Sequence, residues 1–394
     1  FKLKTALKNI LYSSSFFEDL GFKYIGPIDG HNINQLCEAM DSAKMIAAPV
    51  LIHINTLKGR GYDYAEHSPE KFHGISRFDP HTGEPLSVGE NYSSFFGKAM
   101  CSFAAKDKRI CAITAAMTLG TGLEEFSTRY PERFFDVGIA EEHAVTFASG
   151  LSAGGMLPVF AVYSTFLQRS ADQLIHDGAL QRRKLIIAVD RAGFVGEDGE
   201  THQGLFDVPL LQSLPNTTVY SPATYEEINS ALYSAFYKDS GLIVIRYPRG
   251  SEPEEAKGLP VPDEVDLFGD SAADTAIVTY GRLFFNALRA QEILAERGVN
   301  VKIVKLARIK PLPERTFEFL DGCKNVFFFE EGMKGGGVGE RLGSELLEKG
   351  FKGSYTVTAV DNEFVAHASV GRQLEKYSLS AEGMTAVIEK QVKR

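Results

Sequence analysis

Short apolar runs alternate along this chain with segments whose apolar positions follow a helical period. The clearest runs are residues 110–114, 157–163, 184–190 and 242–248, and nearly every position in them is apolar. A further strand is predicted at residues 134–140. Continuous runs of this length are typical of strands that are buried on both faces, as in parallel sheets. The alternation with helical segments predicts an α/β protein that is built on mostly parallel sheets.

The pattern changes at two places, and we expect domain boundaries there. Residues 1–78 contain two helices, one near 3–20 and one near 33–46 with Asn32 as its N-cap, and two strands (22–28 and 49–56). These elements are too few to close a doubly wound sheet, so we interpret residues 1–78 as the C-terminal remnant of a domain. The remaining assignments are a linker at 79–89, a full domain at 90–250, a second linker at 251–269 and a third domain at 270–394.

The amino-acid composition limits which kinds of binding partner we expect. The chain has 394 residues, 44% of them hydrophobic and 24% charged, with a formal net charge of −9. A basic surface is needed to bind nucleic acid or an anionic membrane, so we expect neither as the main partner. No apolar run reaches the roughly 18 residues that span a bilayer.

Chemically interesting residues follow the strand-like runs of residues 90–250. In VGIAEEHAVTFASG (137–150) a helix is predicted to begin at Glu141, where a carboxylate either complements the helix dipole or serves as a buried acid. In YSTFLQRSADQ (163–173), Tyr163, Phe166 and Arg169 are three residues apart and so share one face. That spacing fits a flat anionic ligand, but it also fits an ordinary amphipathic helix.

Two further loops carry arginines. DRAGFVGEDGETHQG (190–204) follows a predicted buried strand and contains Arg191, Asp198 and His202 among its glycines, which allow close approach of backbone to a ligand. RYPRG (246–250) adds Arg249, whose planar guanidinium suits phosphate. Ligands of open α/β sheets bind at the carboxyl ends of strands, so four such loops in one domain predict a site.

One glycine-rich stretch imitates a nucleotide-binding loop. KGGGVGERLG (334–343) lies between a predicted strand and a predicted helix. Its glycine spacing differs from the dinucleotide fingerprint, and the acidic residue expected about 20 residues later is absent. We interpret it as a tight strand-to-helix turn.

Taken together, several strings resemble the 1-deoxy-D-xylulose-5-phosphate synthase family, thiamine-diphosphate enzymes with a transketolase-like fold. The resemblance extends over essentially the whole chain. The most specific strings are YIGPIDGH (24–31), KGRGY (58–62) with KFHG (71–74), DVGIAEEHAVTFASG (136–150), YSTFLQRSADQLIHD (163–177), DRAGFVGEDGETHQGLFD (190–207) and RYPRG (246–250).

The resemblance implies a domain order. Residues 1–78 correspond to the end of a diphosphate-binding domain, residues 90–250 to a pyrimidine-binding domain and residues 270–394 to a transketolase-type C-terminal domain. The Mg²⁺ motif of the family does not occur here, so its ligands are expected upstream of Phe1, no metal ligand is assigned in this chain, and a missing N-terminal segment of the same protein is an expected partner.

The resemblance also implies roles for single residues. Glu141 is expected to contact the aminopyrimidine of thiamine diphosphate, Phe166 to stack on that ring, and Arg169 and Lys58 to lie near the cofactor. His73 and His202 are further catalytic candidates. The expected residues for the acceptor, D-glyceraldehyde 3-phosphate, are Tyr163, Arg191, Asp198, His202 and Arg249.

The implied reaction is the decarboxylative condensation of pyruvate with D-glyceraldehyde 3-phosphate, the first step of the non-mevalonate isoprenoid pathway, which also supplies thiamine and pyridoxal synthesis. A homodimer in the bacterial cytoplasm or the plastid stroma is expected. Two alternatives stay open: the second subunit of a split transketolase or of a 2-oxoacid dehydrogenase, and a non-catalytic truncated module.

Overall fold

A computed structural model describes residues 15–75, 77–86, 89–261 and 264–392. The chain forms two compact units, Phe1–Val88 and Gly89–Arg394, and each is described here by itself. The first predicted helix, near 3–20, lies mostly outside the described residues, and the described part contains a helix at Ser15–Asp19.

The first unit contains a two-stranded parallel sheet. Strands β1 (Lys23–Asp29) and β2 (Val50–Asn55) pair directly, and the helix Ile33–Lys44 connects them. The predicted N-cap is confirmed, because the Asn32 side chain accepts a hydrogen bond from the Gln35 amide at 3.2 Å. No residue of either strand is buried within this unit. A short helix follows at Asp63–His67.

The second unit contains two sheets. Its strands are, in chain order, β3 (Ile110–Thr114), β4 (Phe134–Asp136), β5 (Leu157–Tyr163), β6 (Leu185–Asp190), β7 (Thr217–Tyr220), β8 (Leu242–Arg246), β9 (Val265–Phe268), β10 (Thr275–Tyr280), β11 (Lys302–Leu306), β12 (Arg308–Lys310), β13 (Asn325–Met333) and β14 (Ser354–Val360).

Helices cover both sheets of the second unit. The α-helices are Tyr92–Lys106, Glu124–Arg129, Glu141–Ala153, Ser164–Leu167, Ala171–Gln173, Asp207–Gln212, Tyr225–Tyr237, Leu283–Glu296, Glu314–Leu320, Val338–Glu348, Val370–Lys376 and Ala381–Val392. Shorter 3₁₀ segments are Pro131–Arg133, Gln168–Ser170, Gly196–Asp198, Glu200–His202 and Glu254–Ala256, and Leu174–Ala179 is a π-helix.

The larger sheet has seven strands in the order β12-β7-β8-β6-β5-β3-β4. All its pairings are parallel except that of β12 with β7. Strands β3, β6 and β8 are buried along their whole length. The continuous apolar runs in the sequence thus mark strands that are covered on both faces, as expected for a parallel sheet.

The smaller sheet has five strands in the order β14-β13-β10-β11-β9. Strand β9 pairs antiparallel with β11, and the other pairings are parallel. Strand β9 lies at the end of the segment 251–269, where we expected a linker without a strand. The prediction of mostly parallel α/β architecture is confirmed, while the domain boundaries themselves remain predictions.

One strand crosses between the predicted second and third domains. Strand β12 follows β11 directly, yet it pairs with β7 at the edge of the seven-stranded sheet. The Lys310 ammonium then donates to the carbonyls of Leu211, Gln212 and Leu214 at the end of a helix. This strand covers an edge that would otherwise present unpaired backbone groups.

Strand β4 is shorter than the sequence predicts. We expected a strand over residues 134–140, but it ends at Asp136. The Asp136 carboxylate accepts hydrogen bonds from the amides of Ala116 (2.8 Å) and Gly138 (3.0 Å), and Gly138 adopts a φ of +72°. These bonds fold the chain into a turn, which leads into the helix that begins at Glu141.

Candidate functional site

Three neighbouring strands bring the predicted residues of the second unit to one edge of the seven-stranded sheet. Strands β5, β6 and β8 are adjacent. Tyr163 is the last residue of β5, Arg191 directly follows β6, and Arg249 lies three residues beyond β8. Because these strands are parallel, their carboxyl ends share an edge, where open α/β sheets bind ligands.

Glu141 is buried at the first position of its helix. Only 1% of the residue is exposed. Its Oε1 accepts a hydrogen bond from Arg169 Nη1 at 2.8 Å, whereas its Oε2 is buried with no hydrogen-bond partner. A buried carboxylate oxygen without a partner is costly unless a ligand satisfies it. The structure therefore favours the buried acid over a carboxylate that only complements the helix dipole.

An aromatic ring and a cation stand beside this carboxylate. The Arg169 guanidinium lies over the Phe166 ring, 4.8 Å from its centroid, and the partly exposed ring of Phe166 is 6.0 Å from that of Tyr163. His202 meets Phe166 edge to face at 5.4 Å. These contacts bring together residues from two of the predicted loops around one aromatic surface.

Arg191 is held in an unusual backbone conformation. Its φ is +59°, a left-handed value that non-glycine residues adopt at a cost of about 1 kcal/mol or more. Its guanidinium lies 3.8 Å from the centroid of the Tyr163 ring and donates to the Gly120 carbonyl at 2.9 Å. Burial raises the pKa of Tyr163 above its ordinary value, although the charge of Arg191 opposes the shift. Tyr163 therefore stays neutral near pH 7.

One carboxylate links the two predicted phosphate-binding arginines. Asp198 Oδ1 is 3.1 Å from Arg249 Nη1, and Asp198 Oδ2 is 3.5 Å from Arg191 Nε. Arg249 also donates to the Val195 carbonyl at 3.1 Å. Arg191 also pairs with Asp190 at 3.1 Å, so the cluster holds two arginines and two carboxylates, and a further anion would bind through the guanidinium donors rather than through a net positive charge.

Two residues at this edge were not predicted from the sequence. Gly120 follows β3, and a Cβ there would lie 1.7 Å from the Tyr163 hydroxyl oxygen, so any side chain at this position displaces that hydroxyl. Asp190, the last residue of β6, is fully buried and accepts from Arg191 Nη1 at 3.1 Å. Burial raises the Asp190 pKa, against the opposing charge of Arg191. The glycines of TLGTG (118–122) were the available signal for Gly120.

The other two predicted residues, Lys58 and His73, belong to the first unit. Both are exposed there. His73 lies in a turn, and its backbone amide donates to the Glu70 carbonyl at 3.2 Å. Over the described ranges, no group of three His, Cys, Asp or Glu side chains is arranged to hold a metal ion. Nor does any described helix combine the length and apolar character needed to cross a bilayer.

The site's donors and acceptors suit the expected cofactor. The unpartnered Glu141 Oε2 can accept a hydrogen bond from a ring nitrogen, and the Phe166 face beside it can stack on a heteroaromatic ring. The Phe166 ring contacts Tyr163, Tyr163 contacts Arg191, and Arg191 is linked to Arg249 through Asp198. We call Arg191 and Arg249 the arginine pair. The residues present thus fit an aminopyrimidine ring together with a separate anionic substrate group.

Three family profiles match successive parts of the chain. The profile described as 1-deoxy-D-xylulose-5-phosphate synthase matches residues 1–56. The transketolase pyrimidine-binding domain matches residues 90–254, and the transketolase C-terminal domain matches residues 269–384. These matches follow the order implied by the resemblance.

Curated relatives are similar over nearly the whole chain. A 1-deoxy-D-xylulose-5-phosphate synthase of Clostridium acetobutylicum is 42% identical over 389 residues, which are 97% of this chain and 62% of the relative. That of Symbiobacterium thermophilum is 42% identical over 97% of this chain and 59% of its own length. The chain therefore spans about 60% of the length of these relatives.

Solved structures share the fold. A split-gene transketolase, described as an inactive β4 tetramer, is similar with a TM-score of 0.69 and 25% identity over 78% of this chain and 99% of its own. The transketolase of Leishmania mexicana has a TM-score of 0.63 and 19% identity over 78% of this chain and 47% of its own. The second likeness shows the fold alone.

Proposed function

Because the chain belongs to the 1-deoxy-D-xylulose-5-phosphate synthase family, we propose that it contributes the pyrimidine-binding and acceptor-binding parts of such an enzyme. The reaction joins pyruvate and D-glyceraldehyde 3-phosphate to give 1-deoxy-D-xylulose 5-phosphate and carbon dioxide. The observation that carries the proposal is the unpartnered oxygen of buried Glu141, in one series of contacts with the arginine pair.

The proposed cofactor is thiamine diphosphate, held with Mg²⁺. When bound, it supplies a nucleophilic carbon and an electron sink for the decarboxylation. Glu141 holds a hydrogen bond to the aminopyrimidine, and Arg169 keeps the Glu141 carboxylate oriented. Phe166 stacks on the pyrimidine ring. Lys58 and the Mg²⁺ ligands are proposed to lie near the diphosphate of the cofactor. We propose that the Mg²⁺ ligands belong to sequence outside this chain.

The acceptor is proposed to bind along the arginine-lined part of the site. Arg191 and Arg249 bind the phosphate of D-glyceraldehyde 3-phosphate, and Asp198, which pairs with both arginines, is a further acceptor-binding residue. Tyr163 and His202 line the path from that phosphate to Phe166. His202 and, from the first unit, His73 are the proposed proton-transfer residues. The work of these groups is to position the reactants and to stabilise charge.

The proposed setting is the first step of isoprenoid synthesis by the non-mevalonate route, with supply to thiamine and pyridoxal synthesis. We propose a homodimer. We propose the cytoplasm as the compartment because the relatives described above are bacterial, with the plastid stroma as the alternative.

The test is product formation by the full-length protein that carries this chain. With thiamine diphosphate, Mg²⁺, carboxyl-labelled pyruvate and D-glyceraldehyde 3-phosphate, we expect release of labelled carbon dioxide and one equivalent of the five-carbon product, measured by mass spectrometry. Transfer of ketol groups between sugar phosphates without decarboxylation would favour a split transketolase instead. Failure to bind the cofactor in calorimetry would favour a non-catalytic module.

A further inference from the structure

An ion pair from the C-terminal part of the chain contacts both arginine-bearing loops. Arg282 follows β10, and Glu331 lies on β13. Arg282 Nε donates to Glu331 Oε2 at 2.9 Å, and Arg282 Nη2 also contacts Glu331 Oε1. The side chains are only 17% and 7% exposed. Both charges are thus largely removed from water, and each needs the other.

The pair binds the backbone of the loop that contains Arg191. Glu331 Oε1 accepts from the Phe194 amide at 2.6 Å, and Arg282 Nη2 donates to the Phe194 carbonyl at 2.6 Å. The backbone N–H and the backbone C=O of Phe194 are therefore both hydrogen-bonded to this one ion pair. Gly193 makes this approach possible, since its φ is +86° and a Cβ there would lie 2.6 Å from the Glu331 carboxyl carbon.

The same arginine reaches the second loop. Arg282 Nη1 lies 3.4 Å from the Arg249 carbonyl oxygen. Phe194 is itself fully buried, with its ring 5.6 Å from that of Tyr377. The ion pair therefore holds the backbone at two points, one three residues after Arg191 and one at Arg249.

We propose that Arg282 and Glu331 are positioning residues that set the distance between the Arg191 and Arg249 guanidinium groups, and so the affinity for a phosphate-bearing acceptor. The inference rests on the proposed function. All the contacts of the pair with the two loops are to backbone atoms. A neutral pair adds no net charge, so its effect on phosphate binding passes through the placement of the two arginines.

The experiment compares R282Q and E331Q with the control R297Q in the full-length enzyme. Arg297 donates to Glu389 at 2.9 Å on the exposed surface of the same C-terminal part. We expect the KM for D-glyceraldehyde 3-phosphate to rise about tenfold in R282Q and E331Q, because small misplacements of binding groups are costly. The kcat, the KM for pyruvate and the KM for unphosphorylated D-glyceraldehyde should change less than about twofold, as should every parameter of R297Q. Binding of inorganic phosphate, measured by calorimetry, should weaken in parallel.

The outcomes distinguish failure of the proposed function from failure of the proposed positioning role. If the wild type does not prefer the phosphorylated aldehyde, the proposed function fails, and the inference fails with it. If the wild type prefers it and the variants do too, only the positioning role is overturned. An equal loss with both aldehydes would also overturn it, because that result indicates general destabilisation. Should R282Q not fold, the double variant R282Q/E331Q leaves no unpaired buried charge and is measured instead.

Discussion

Two buried glutamates of the second unit, both with carboxylates beside helix N-termini, differ in how their hydrogen bonds are satisfied. Glu141 is 1% exposed and Glu330 is fully buried. The Glu330 carboxylate accepts from the amides of Val338 and Gly339, both at 3.0 Å, and from the Tyr280 hydroxyl at 2.9 Å. Glu141 accepts one hydrogen bond and keeps one oxygen without a partner.

The difference separates an acid whose hydrogen bonds are all made within the fold from one that we propose to be functional. Glu330 lies on strand β13, and its carboxylate occupies the N-terminus of the helix that begins at Val338 within the glycine-rich stretch 334–343, where an external anion would otherwise bind. That turn is a tight strand-to-helix connection, as the sequence predicts, and its own chain supplies the anion. Glu141 has acceptor capacity that the fold does not use. Burial raises the pKa of Glu330 to about 7, whereas its hydrogen bonds lower it.

The largest effect is expected from E141Q. Replacing the carboxylate should lower kcat about 100- to 10,000-fold, the range typical of a lost general acid or base. The melting temperature should change little, because the glutamine amide oxygen can keep the hydrogen bond from Arg169, which is partly exposed, and Oε2 has no partner to lose. Steady-state turnover and thermal unfolding are measured on the same sample. A variant that loses stability but keeps turnover would reverse the assignment of the two glutamates.

Removal of the structural acid should act on stability. E330A leaves two helix amides and the Tyr280 hydroxyl without their acceptor, at about 1–3 kcal/mol for each buried group. We expect a loss of about 3 kcal/mol or more in denaturant unfolding. The exposed Glu348 of the same helix provides the control E348A, which should change stability by less than about 0.5 kcal/mol.

A smaller effect is expected from pH. The folded state holds the Glu330 proton up to about pH 7, whereas the unfolded chain releases it near the ordinary value of 4.5. Between these values the folded state binds more protons, so stability from this group falls as pH rises. The unfolding free energy of the wild type minus that of E330Q should therefore decrease by up to about 3 kcal/mol from pH 4.5 to 7. A constant or rising difference would contradict the raised pKa.

The smallest effect is expected from E142Q. Glu142 shares the first helical turn with Glu141, but its side chain is exposed. Loss of one exposed charge near a helix N-terminus is worth about 0.3–1 kcal/mol. Turnover should stay within about twofold and keep its pH profile. A shifted pH profile would mean that the neighbouring charge acts on Glu141, which would weaken the contrast between the two buried acids.

The sequence predicts residues that stand next to strand ends better than residues that act from a distance. The placement of Tyr163, Arg191 and Arg249 at one edge could be predicted because each lies at or soon after an apolar run, and parallel strands end at one edge. The burial of Glu141 was left open, because a helix start alone does not reveal what packs around it. Arg282 and Glu331 were not predicted because they contact Phe194 and Arg249 from far along the chain, and Glu331 lies 137 positions after Phe194.

Other misses have local causes. Strand β4 ends early because the Asp136 side chain binds the amides that a longer strand would use. Strands β9 and β12 were not predicted, since short edge strands carry little apolar periodicity. Their pairing partners decide their conformation, and pairing is a property of the folded sheet rather than of the local sequence.

Strand β12 follows β11 of the five-stranded sheet in the chain but pairs with β7 of the seven-stranded sheet, and this limits which fragments of the protein can be expressed. A fragment that stops at residue 250 would lack Arg308–Lys310 and leave the Thr217–Tyr220 strand open along one side. Such a fragment would pair with other copies through that strand and precipitate at working concentrations. Expression trials should therefore carry the chain through residue 310 or beyond.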